Sequence, residues 1–434
     1  MIDGGAGRGD ATVVLFTLSY PYGIGESFLE EEVDALARGV GRVIVVPVGA
    51  VGGVPRSVPA GVVVLDPAEY FDVWMAIRQL LRRPGRALTA LIAAARARAS
   101  LRGRLAELRF RLATDAAVKA VVAHVSVAID VRTPIVFYAY WLDLPVSVAI
   151  DVRRAMGLSE VPIIARAHGF DVYSERHRSN YLPRRREIFQ EVARVYSVSR
   201  AGAEYLQRRW PVFAGKVSVA HLGTRPALNP GNAEQKCATV VSCSYIRTVK
   251  RLELLIEVVA ELRSRGRHVT WSHIGPVDDR YAVEVQRRAQ ERLDPGAFTF
   301  IGGLDRTGIR DWYATNPASV FVNLSSSEGV PVAVMEALAQ GLPVVLTDVG
   351  GNGETVDLSL GMYDGLVDAD PSPQQVADRI EALLEADPAA YDGYAKGSYA
   401  HWKDAWSSET NYDAFTAELV RVARKPGEPF SRGE

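Results

Sequence analysis

The sequence predicts an α/β protein built from two facing, Rossmann-like, doubly wound domains with a cleft between them. Two observations predict this fold: apolar runs of strand length alternate with amphipathic helical stretches in two separate series, and a turn-rich break divides the series. With 434 residues, 48% of them hydrophobic, the chain is long enough for two cores. Because ligands of such sheets bind beyond the carboxyl ends of the strands, we expect a substrate in the cleft.

The first series predicts the parallel sheet of an N-terminal domain. Its strand-length apolar runs are Thr12–Leu18, Val43–Val48, Ile135–Tyr140, Pro162–Ala167, Val192–Val198 and Val217–His221. Strands that alternate with helices are connected by crossovers, which makes neighbouring strands parallel.

After Gly223 comes a stretch rich in Pro, Gly and Asn, with turn chemistry and no apolar period, which predicts a linker. The second series follows it: the strands Ala238–Cys243, Val269–Ile274, Phe298–Ile301, Val320–Leu324 and Pro343–Thr347, with a helix at Leu252–Arg265. A last helical pattern runs from Asn411 to Ala423. We therefore predict a first domain at 1–224, a linker at 225–235, a second domain at 236–404, and a helix and tail at 405–434 that cross back toward the first domain.

Composition excludes some functions. Lys plus Arg number 50 and Asp plus Glu number 51, so there is no charge excess for nucleic acid as a partner. Cys237 and Cys243 lack the spacing of a zinc site and indicate a reducing compartment. No apolar run approaches the ~20 residues that span a bilayer, and the first ten residues do not resemble a signal peptide. We expect a cytoplasmic location, with any membrane contact made from the cytoplasmic face.

The region 77–112 is strongly basic and is interleaved with Leu and Ala. Its arginines, set against Glu107 alone, are Arg78, Arg82, Arg83, Arg86, Arg96, Arg98, Arg102, Arg104, Arg109 and Arg111. Such a basic amphipathic region suits peripheral contact with an anionic membrane or a lipid-diphosphate acceptor. It equally suits an ordinary solvated helical face.

The segment from Ser325 to Glu336 carries the strongest chemical signal. A strand that ends at Leu324 passes through a turn into a helix, and Pro331 suits the first helical position. The free N–H groups around Gly329 and Val330 would then lie at the positive end of the helix dipole, which favours phosphate or a sugar oxygen. The segment predicts a site for an anionic ligand.

Two carboxylates frame this segment. Glu328 lies just before the helix, and Glu336 lies about 7.5 Å along it at 1.5 Å rise per residue. Since a carboxylate can accept from both hydroxyls of a cis diol, one glutamate could hold a transferred sugar and the other a ribose.

These residues resemble the retaining glycosyltransferases of family four. The family's Glu-x7-Glu signature is matched by Glu328 and Glu336, and Gly341–Glu354 resembles its Gly-x-Pro-Val, Gly-Gly and Glu continuation. Four segments of the first domain resemble members that act in exopolysaccharide assembly: 20–28, 165–173, 197–199 and 216–223.

The resemblance implies a GT-B fold, with an acceptor-side domain at 1–224 and a donor-binding domain at 236–404. It also implies retaining transfer of a sugar from a nucleotide sugar, UDP-, GDP- or another, with no metal or other cofactor. The acceptor would be a hydroxyl of a glycan, a lipid-linked molecule or a small molecule. It implies that Glu336 binds the ribose, that Glu328 contacts the donor sugar and diphosphate, and that the backbone at Gly303 and Leu304 contacts the base.

Lys250 follows the strand Ala238–Cys243, where an ammonium can neutralise a leaving diphosphate. The family usually has an Arg five or six residues before this Lys, but Ser244 and Tyr245 occupy those positions. Arg247 or Arg251 could supply the second cation.

His168 follows the strand Pro162–Ala167 at the ligand-facing end of the predicted sheet, and it matches a family position that faces the donor sugar. Gly23 and Gly25 lie in the first strand-to-helix turn, where glycine lets the backbone approach a phosphate. The strand Val43–Val48 ends without the acid of a dinucleotide-binding fingerprint.

Two other functions remain compatible with the sequence. Since a fold does not fix the reaction, a phosphorylase or epimerase could use the same scaffold. A non-catalytic nucleotide-sugar-binding protein would keep the pocket without turnover.

Overall fold

The structure is a computed structural model that describes residues 9–23, 26–49, 53–65, 92, 100–230 and 233–425. The chain divides into two compact units. The first contains the residues up to Ala220 and those from Tyr412, and the second contains His221–Asn411.

The first unit is built on a parallel seven-stranded sheet with the order β3-β2-β1-β4-β5-β6-β7. The strands are β1 Thr12–Thr17, β2 Arg42–Pro47, β3 Val62–Val64, β4 Ile135–Ala139, β5 Ile163–Ala167, β6 Arg194–Ser197 and β7 Val217–Val219. The described helices are α1 Leu29–Gly39, α2 Leu101–Ala128, α3 Leu144–Ala155, α4 Arg185–Glu191 and α5 Arg200–Arg209.

Both faces of this sheet are covered, which explains why its strands read as unbroken apolar runs. In β1, Val14 and Phe16 belong to one core cluster, whereas Val13 and Leu15 belong to the cluster on the other face. The second cluster includes Phe415 of the C-terminal helix Ser408–Arg424, so the end of the chain completes the first unit's core.

The second unit is built on a parallel six-stranded sheet with the order β10-β9-β8-β11-β12-β13. The strands are β8 Thr239–Cys243, β9 Thr270–Ile274, β10 Phe298–Gly302, β11 Val320–Asn323, β12 Val344–Thr347 and β13 Leu366–Val367. The helices are α6 Leu252–Ser264, α7 Arg280–Arg292, α8 Arg306–Thr315, α9 Val332–Ala339, α10 Pro373–Leu384 and α11 Pro388–His401, and the C-terminal helix is α12 Ser408–Arg424.

The prediction of two doubly wound parallel-sheet domains is confirmed, and every predicted strand is present with ends shifted by at most two residues. Two edge strands, β3 and β13, were not predicted. They contain three and two residues, too few to give an apolar run that differs from a loop.

Most of the basic region lies outside the described residues, including Arg78, Arg82, Arg83, Arg86, Arg96 and Arg98. Its described end belongs to α2, where the side chain of Glu107 is buried and pairs with Arg111 at 2.7 Å. Within the described ranges no helix combines the length and apolar character needed to span a bilayer.

Candidate active site

Each sheet has a topological switch point, where the strand order reverses and loops diverge from neighbouring strands. In the second unit this point lies between β8 and β11, because β9 and β10 continue on one side and β12 and β13 on the other. Lys250 follows β8 and Glu328 follows β11, so both come from the loops that flank the switch point. This is the position at which open α/β sheets bind ligands.

Lys250 and Glu328 are in direct contact. The ammonium nitrogen of Lys250 donates to Oε1 of Glu328 at 2.5 Å. The same oxygen accepts from the hydroxyl of Ser325 at 2.6 Å and from the side-chain amide of Asn323 at 3.2 Å. Glu328 is therefore a buried carboxylate whose position is fixed by donors from both loops.

The electrostatic environment keeps this carboxylate ionised. Burial alone raises the pKa of Glu328, but the Lys250 ammonium and the hydrogen bonds from Lys250, Ser325 and Asn323 outweigh burial and lower it below its ordinary value. At neutral pH the side chain of Glu328 is therefore a carboxylate.

The helix that carries Glu336 begins one residue later than expected. Pro331 was predicted at the first helical position, but it has an extended backbone, with φ −77° and ψ 118°, and caps α9, which begins at Val332. Its carbonyl oxygen accepts from the N–H of Val334 at 3.0 Å. Gly329 and Val330 lie in the turn that enters this cap, next to Glu328.

Two consecutive glycines of the Gly341–Glu354 segment pack on this turn. Gly350, with φ +56°, and Gly351 approach so closely that a Cβ on either residue would overlap the backbone carbonyl of Glu328 or Gly329. The pair of glycines is therefore required by the packing of the loop after β12 against the loop after β11.

Glu336 lies on α9 with its side chain 15% exposed, and its Oε1 is 3.9 Å from Nε of Arg306. Two charges of the site affect the pKa of the Cys243 thiol. Burial and then the charge of Glu336 raise the pKa of the Cys243 thiol, while the charge of Lys250 lowers it. Lys250 and Glu328 are thus in contact, and the charges of Lys250 and Glu336 both act on the thiol at the end of β8.

Arg306 and Cys243 were not predicted from the sequence to be site residues. Arg306 begins α8 directly after the helix cap Asp305, and its position two residues after Leu304 was the available signal. Cys243 is the last residue of β8, so its place at the carboxyl edge of the sheet was also available.

Gly303 and Leu304 are exposed and follow β10 at the same edge of the sheet. They come after Gly302, which has φ +91° and whose carbonyl oxygen accepts from the N–H of Gly275 at 2.9 Å. Their backbone is positioned by the adjacent loop after β9.

The two arginines considered for the missing cation have different surroundings. Arg247 is 42% exposed and pairs with Asp278 at 2.9 Å and Asp279 at 3.0 Å. Arg251 donates to the carbonyl oxygens of Leu324 at 2.6 Å and Ala369 at 2.8 Å, which ties the loops after β11 and β13 together. Their role as a second phosphate-binding cation stays a prediction.

The first unit has its own switch point, between β1 and β4. Glu26, in the turn after β1, accepts from the backbone N–H of Leu18, Ser19 and Tyr20 at 3.0, 2.6 and 2.5 Å. It also accepts from the indole N–H of Trp141, after β4, at 2.6 Å. Glu26 thus connects the two loops, a role that the sequence analysis missed although Glu26 lies between Gly25 and Phe28.

His168 packs next to this junction. Its ring centroid lies 4.4 Å from that of Trp141 and 4.7 Å from that of Tyr140. The ring Nδ1 of His168 is 3.9 Å from Asp171 Oδ2, beyond hydrogen-bond distance. The backbone N–H of His168 donates to Asp171 Oδ1 at 2.7 Å. Gly23 has φ +61°, the left-handed region that favours glycine, whereas Gly25 lies outside the described residues.

A comparison with known protein families finds a match in the second unit. Residues 227–397 match the family model of the glycosyl transferases group 1, which covers most of His221–Asn411. The second unit is therefore similar to a glycosyltransferase group 1 domain.

Among individual relatives, the chain is 24% identical over 258 residues to WcaL of Escherichia coli (strain K12), named as a colanic acid biosynthesis glycosyltransferase. The match covers 56% of this chain and 60% of that relative. It is 29% identical over 231 residues to TuaC of Bacillus subtilis (strain 168), named as a teichuronic acid biosynthesis glycosyltransferase, with 51% and 55% covered. The chain thus spans little more than half the length of these curated relatives.

Solved structures share the fold. Sucrose-phosphate synthase from Thermosynechococcus elongatus matches with a TM-score of 0.69 at 17% identity, covering 96% of this chain and 100% of that one. Anabaena Alr3699/HepE, solved in complex with UDP and glucose, matches with a TM-score of 0.64 at 17% identity, covering 95% and 99%. These likenesses identify the GT-B fold.

Proposed function

We propose that this protein is a retaining glycosyltransferase that moves a sugar from a nucleoside-diphosphate sugar to a hydroxyl of a glycan, lipid-linked or small-molecule acceptor. The observation that carries the proposal is the ionised, buried carboxylate of Glu328, held at 2.5 Å by Lys250 at the switch point of a glycosyltransferase group 1 domain.

Lys250 stabilises the leaving group. As the bond between the anomeric carbon and the diphosphate breaks, negative charge grows on the phosphate oxygen, and a fixed ammonium stabilises that charge without reorganisation. An ammonium has three N–H donors, and the contact with Glu328 uses one. The other two suit diphosphate oxygens.

Glu328 positions the donor. Its three described donors all bind Oε1, so Oε2 suits the role of acceptor from hydroxyls of the transferred sugar. Its ionised state strengthens such hydrogen bonds, because a charged acceptor binds a hydroxyl more tightly than a neutral one does. We assign it to positioning and not to nucleophilic attack.

Glu336 accepts hydrogen bonds from the ribose hydroxyls, and the backbone at Gly303 and Leu304 contacts the base. For the first unit we propose roles for His168 toward the donor sugar and for Gly23 toward the diphosphate. The reaction needs no metal in this scheme, because Lys250 and the N–H groups of Gly329, Val330 and the first turn of α9 supply the positive potential. The departing phosphate oxygen takes the proton of the acceptor hydroxyl on the face that it leaves, which retains the anomeric configuration.

The experiment is incubation of the full chain with a panel of UDP-, GDP- and other nucleotide sugars, with and without acceptors, followed by the release of nucleoside diphosphate. The anomeric configuration of the product is read by proton NMR. Acceptor-dependent release with retention supports the proposal. Donor binding without release indicates a non-catalytic binding protein, and release of a sugar phosphate indicates a phosphorylase.

We also propose that the protein acts on the cytoplasmic face of a membrane, which the basic region 77–112 contacts through anionic lipids. The proposal rests on the charge pattern of that region alone. Sedimentation with vesicles of anionic or neutral lipids tests it: binding confined to anionic vesicles and weakened by salt supports it, and equal, salt-insensitive binding contradicts it.

A further inference from the structure

The first unit contains a cavity that the proposed mechanism does not use. A cavity of about 760 Å³ is lined by residues of α2, α4 and α5 and of the loop that precedes α4. This volume lies within the range of small-molecule sites. Neither His168 nor Glu26 is among the lining residues.

The lining carries a surplus of positive charge. Five arginines and two glutamates line the cavity, which leaves a formal surplus of three positive charges: Arg111, Arg184, Arg185, Arg186 and Arg209, with Glu107 and Glu187. An uncompensated cluster of this kind attracts an anion.

Two of the arginines are committed to the glutamates. Arg184 pairs with Glu187 at 2.7 Å and with Asp151 at 2.8 Å, and Arg111 pairs with Glu107 at 2.7 Å and with Glu187 at 3.1 Å. These pairs neutralise the carboxylates that line the cavity. The carboxylates of Asp171 and Asp143 act on Arg185, so the surplus lies on Arg186 and Arg209.

Arg186 and Arg209 are exposed and form no ion pair with any residue that the structure describes. Arg185 is only 4% exposed, and its two Nη atoms donate to the carbonyl oxygens of Leu142 and Asp171. Its Nε–H is buried and has no acceptor among the described residues. Arg185 therefore supports the wall of the cavity from inside the protein, and Arg186 and Arg209 carry the charge that a ligand can reach.

The wall of the cavity also contains the aromatic residues Tyr181, Tyr205 and Trp210. Trp210 lies beside Arg209, and the centroid of the Trp210 ring is 5.5 Å from the guanidinium carbon of Arg209. Aromatic faces next to charged donors suit a ring that has an apolar face and an acidic group.

The loop that forms this wall is held in an unusual conformation. Asn180, with φ 47°, and Arg184, with φ 52°, are two of the four non-glycine residues with positive φ in the described chain. The buried carboxylate of Glu107 fixes the loop, because it accepts from the backbone N–H of Arg184 and from the Tyr181 hydroxyl, both at 3.0 Å. The hydrogen bonds from buried Glu107 thus keep the backbone of this loop in its strained conformation.

We propose that this cavity binds an anionic saccharide, with its carboxylate or phosphate on Arg186 and Arg209 and its ring against Trp210. Arg185 connects the cavity to the candidate active site, because it binds the carbonyl of Asp171, whose carboxylate holds the backbone of His168. The identification of this saccharide as part of the acceptor rests on the proposed function, but its binding does not.

Isothermal titration with the full chain tests the proposal with four probes: cellobiouronic acid, its neutral counterpart cellobiose, glucose 6-phosphate and inorganic phosphate. We expect cellobiouronic acid or glucose 6-phosphate to bind, and the better of the two identifies the anionic group. The double variant Arg186→Gln, Arg209→Gln should weaken that binding at least tenfold. The matched control is Arg208→Gln, which removes an exposed arginine paired with Glu204 and should leave the affinity unchanged.

Equal binding of cellobiose, equal binding of inorganic phosphate, or unchanged affinity in the double variant would overturn the proposal. Nucleotide-sugar binding to the double variant is measured in parallel and should match the wild type. If the wild type binds no nucleotide sugar but still binds the acidic saccharide through these arginines, the proposed function fails and the saccharide site stands.

Discussion

Lys250 Nζ lies 2.5 Å from Glu328 Oε1, although 78 residues separate the two in the chain. The contact joins the loops after β8 and β11, the two strands between which the sheet order reverses. It combines a cation suited to a leaving diphosphate with a carboxylate whose pKa burial alone would raise. Lys250 lowers the pKa of Glu328, and the contact fixes the positions of both side chains.

Replacing Lys250 by Ala should lower kcat about 10²–10³-fold, because the charge that grows on the leaving group loses its fixed counter-ion. The KM for the nucleotide sugar should change less than kcat. Lys403→Ala, which removes an exposed lysine of the same unit, is the matched control and should leave both constants unchanged. A Lys250→Ala enzyme with wild-type kcat would exclude this role.

Glu328→Gln keeps the shape of the side chain but removes the charge opposite Lys250. We expect a loss of about 2 kcal/mol in the free energy of unfolding, measured by urea denaturation near pH 7, since the charged hydrogen bonds to a buried group are weakened. Because the folded pKa of Glu328 is lower than its ordinary value of 4.5, its contribution is present above about pH 4.5 and is lost as the pH falls through the folded pKa. The difference between wild type and variant should therefore shrink on acidification, and a difference that grows would contradict the ion pair.

Gly351→Ala should destabilise the second unit by about 1–3 kcal/mol and weaken nucleotide-sugar binding, because the added methyl group overlaps the carbonyl of Gly329 and displaces the turn beside Glu328. The control is Gly393→Ala on α11, where an added Cβ meets no atom within 4 Å. That change should stabilise the protein by up to about 1 kcal/mol through helix propensity. Equal melting temperatures for the two variants would contradict the packing argument.

His273 gives the second unit a dependence on pH. Burial lowers the pKa of His273 from 6.5 to about 4, because the neutral ring is enclosed with Nδ1 at 2.8 Å from the hydroxyl of Ser242. The unfolded chain then binds the proton more readily, so stability falls as the pH drops from about 6.5 to about 4, by roughly 3 kcal/mol at 1.36 kcal/mol per pKa unit. Denaturation of wild type and His273→Gln across this range should show a shallower slope for the variant. Identical slopes would exclude His273 as the source.

The sequence predicted the elements that consist of long apolar runs, such as β1 and β4, because a strand covered on both faces needs apolar side chains throughout. It also placed Lys250 after one strand of the second sheet, Glu328 after another and Glu336 on the helix that follows. Parallel strands end at the same edge of a sheet.

The remaining features depend on partners that are distant in sequence. The contact of Glu26 with Trp141 spans 115 residues, and neither residue has a local pattern that reveals the other. The same holds for Gly351 against Gly329, since a close backbone approach has no periodicity. Pro331 shows why the end of a helix is difficult to predict from sequence. Proline is compatible both with the cap and with the first turn of a helix, and only the extended ψ of Pro331 in the structure identifies it as the cap.

The donor site itself is tested most directly by calorimetric titration of a nucleotide sugar into the wild type and into Glu336→Ala. If Glu336 holds the ribose, its removal should weaken binding at least tenfold, which corresponds to about 1.4 kcal/mol. Glu284→Ala, a 58% exposed carboxylate on α7, should bind as the wild type does. Unchanged affinity in Glu336→Ala, with wild-type binding otherwise intact, would contradict the placement of the donor at Glu328 and Glu336.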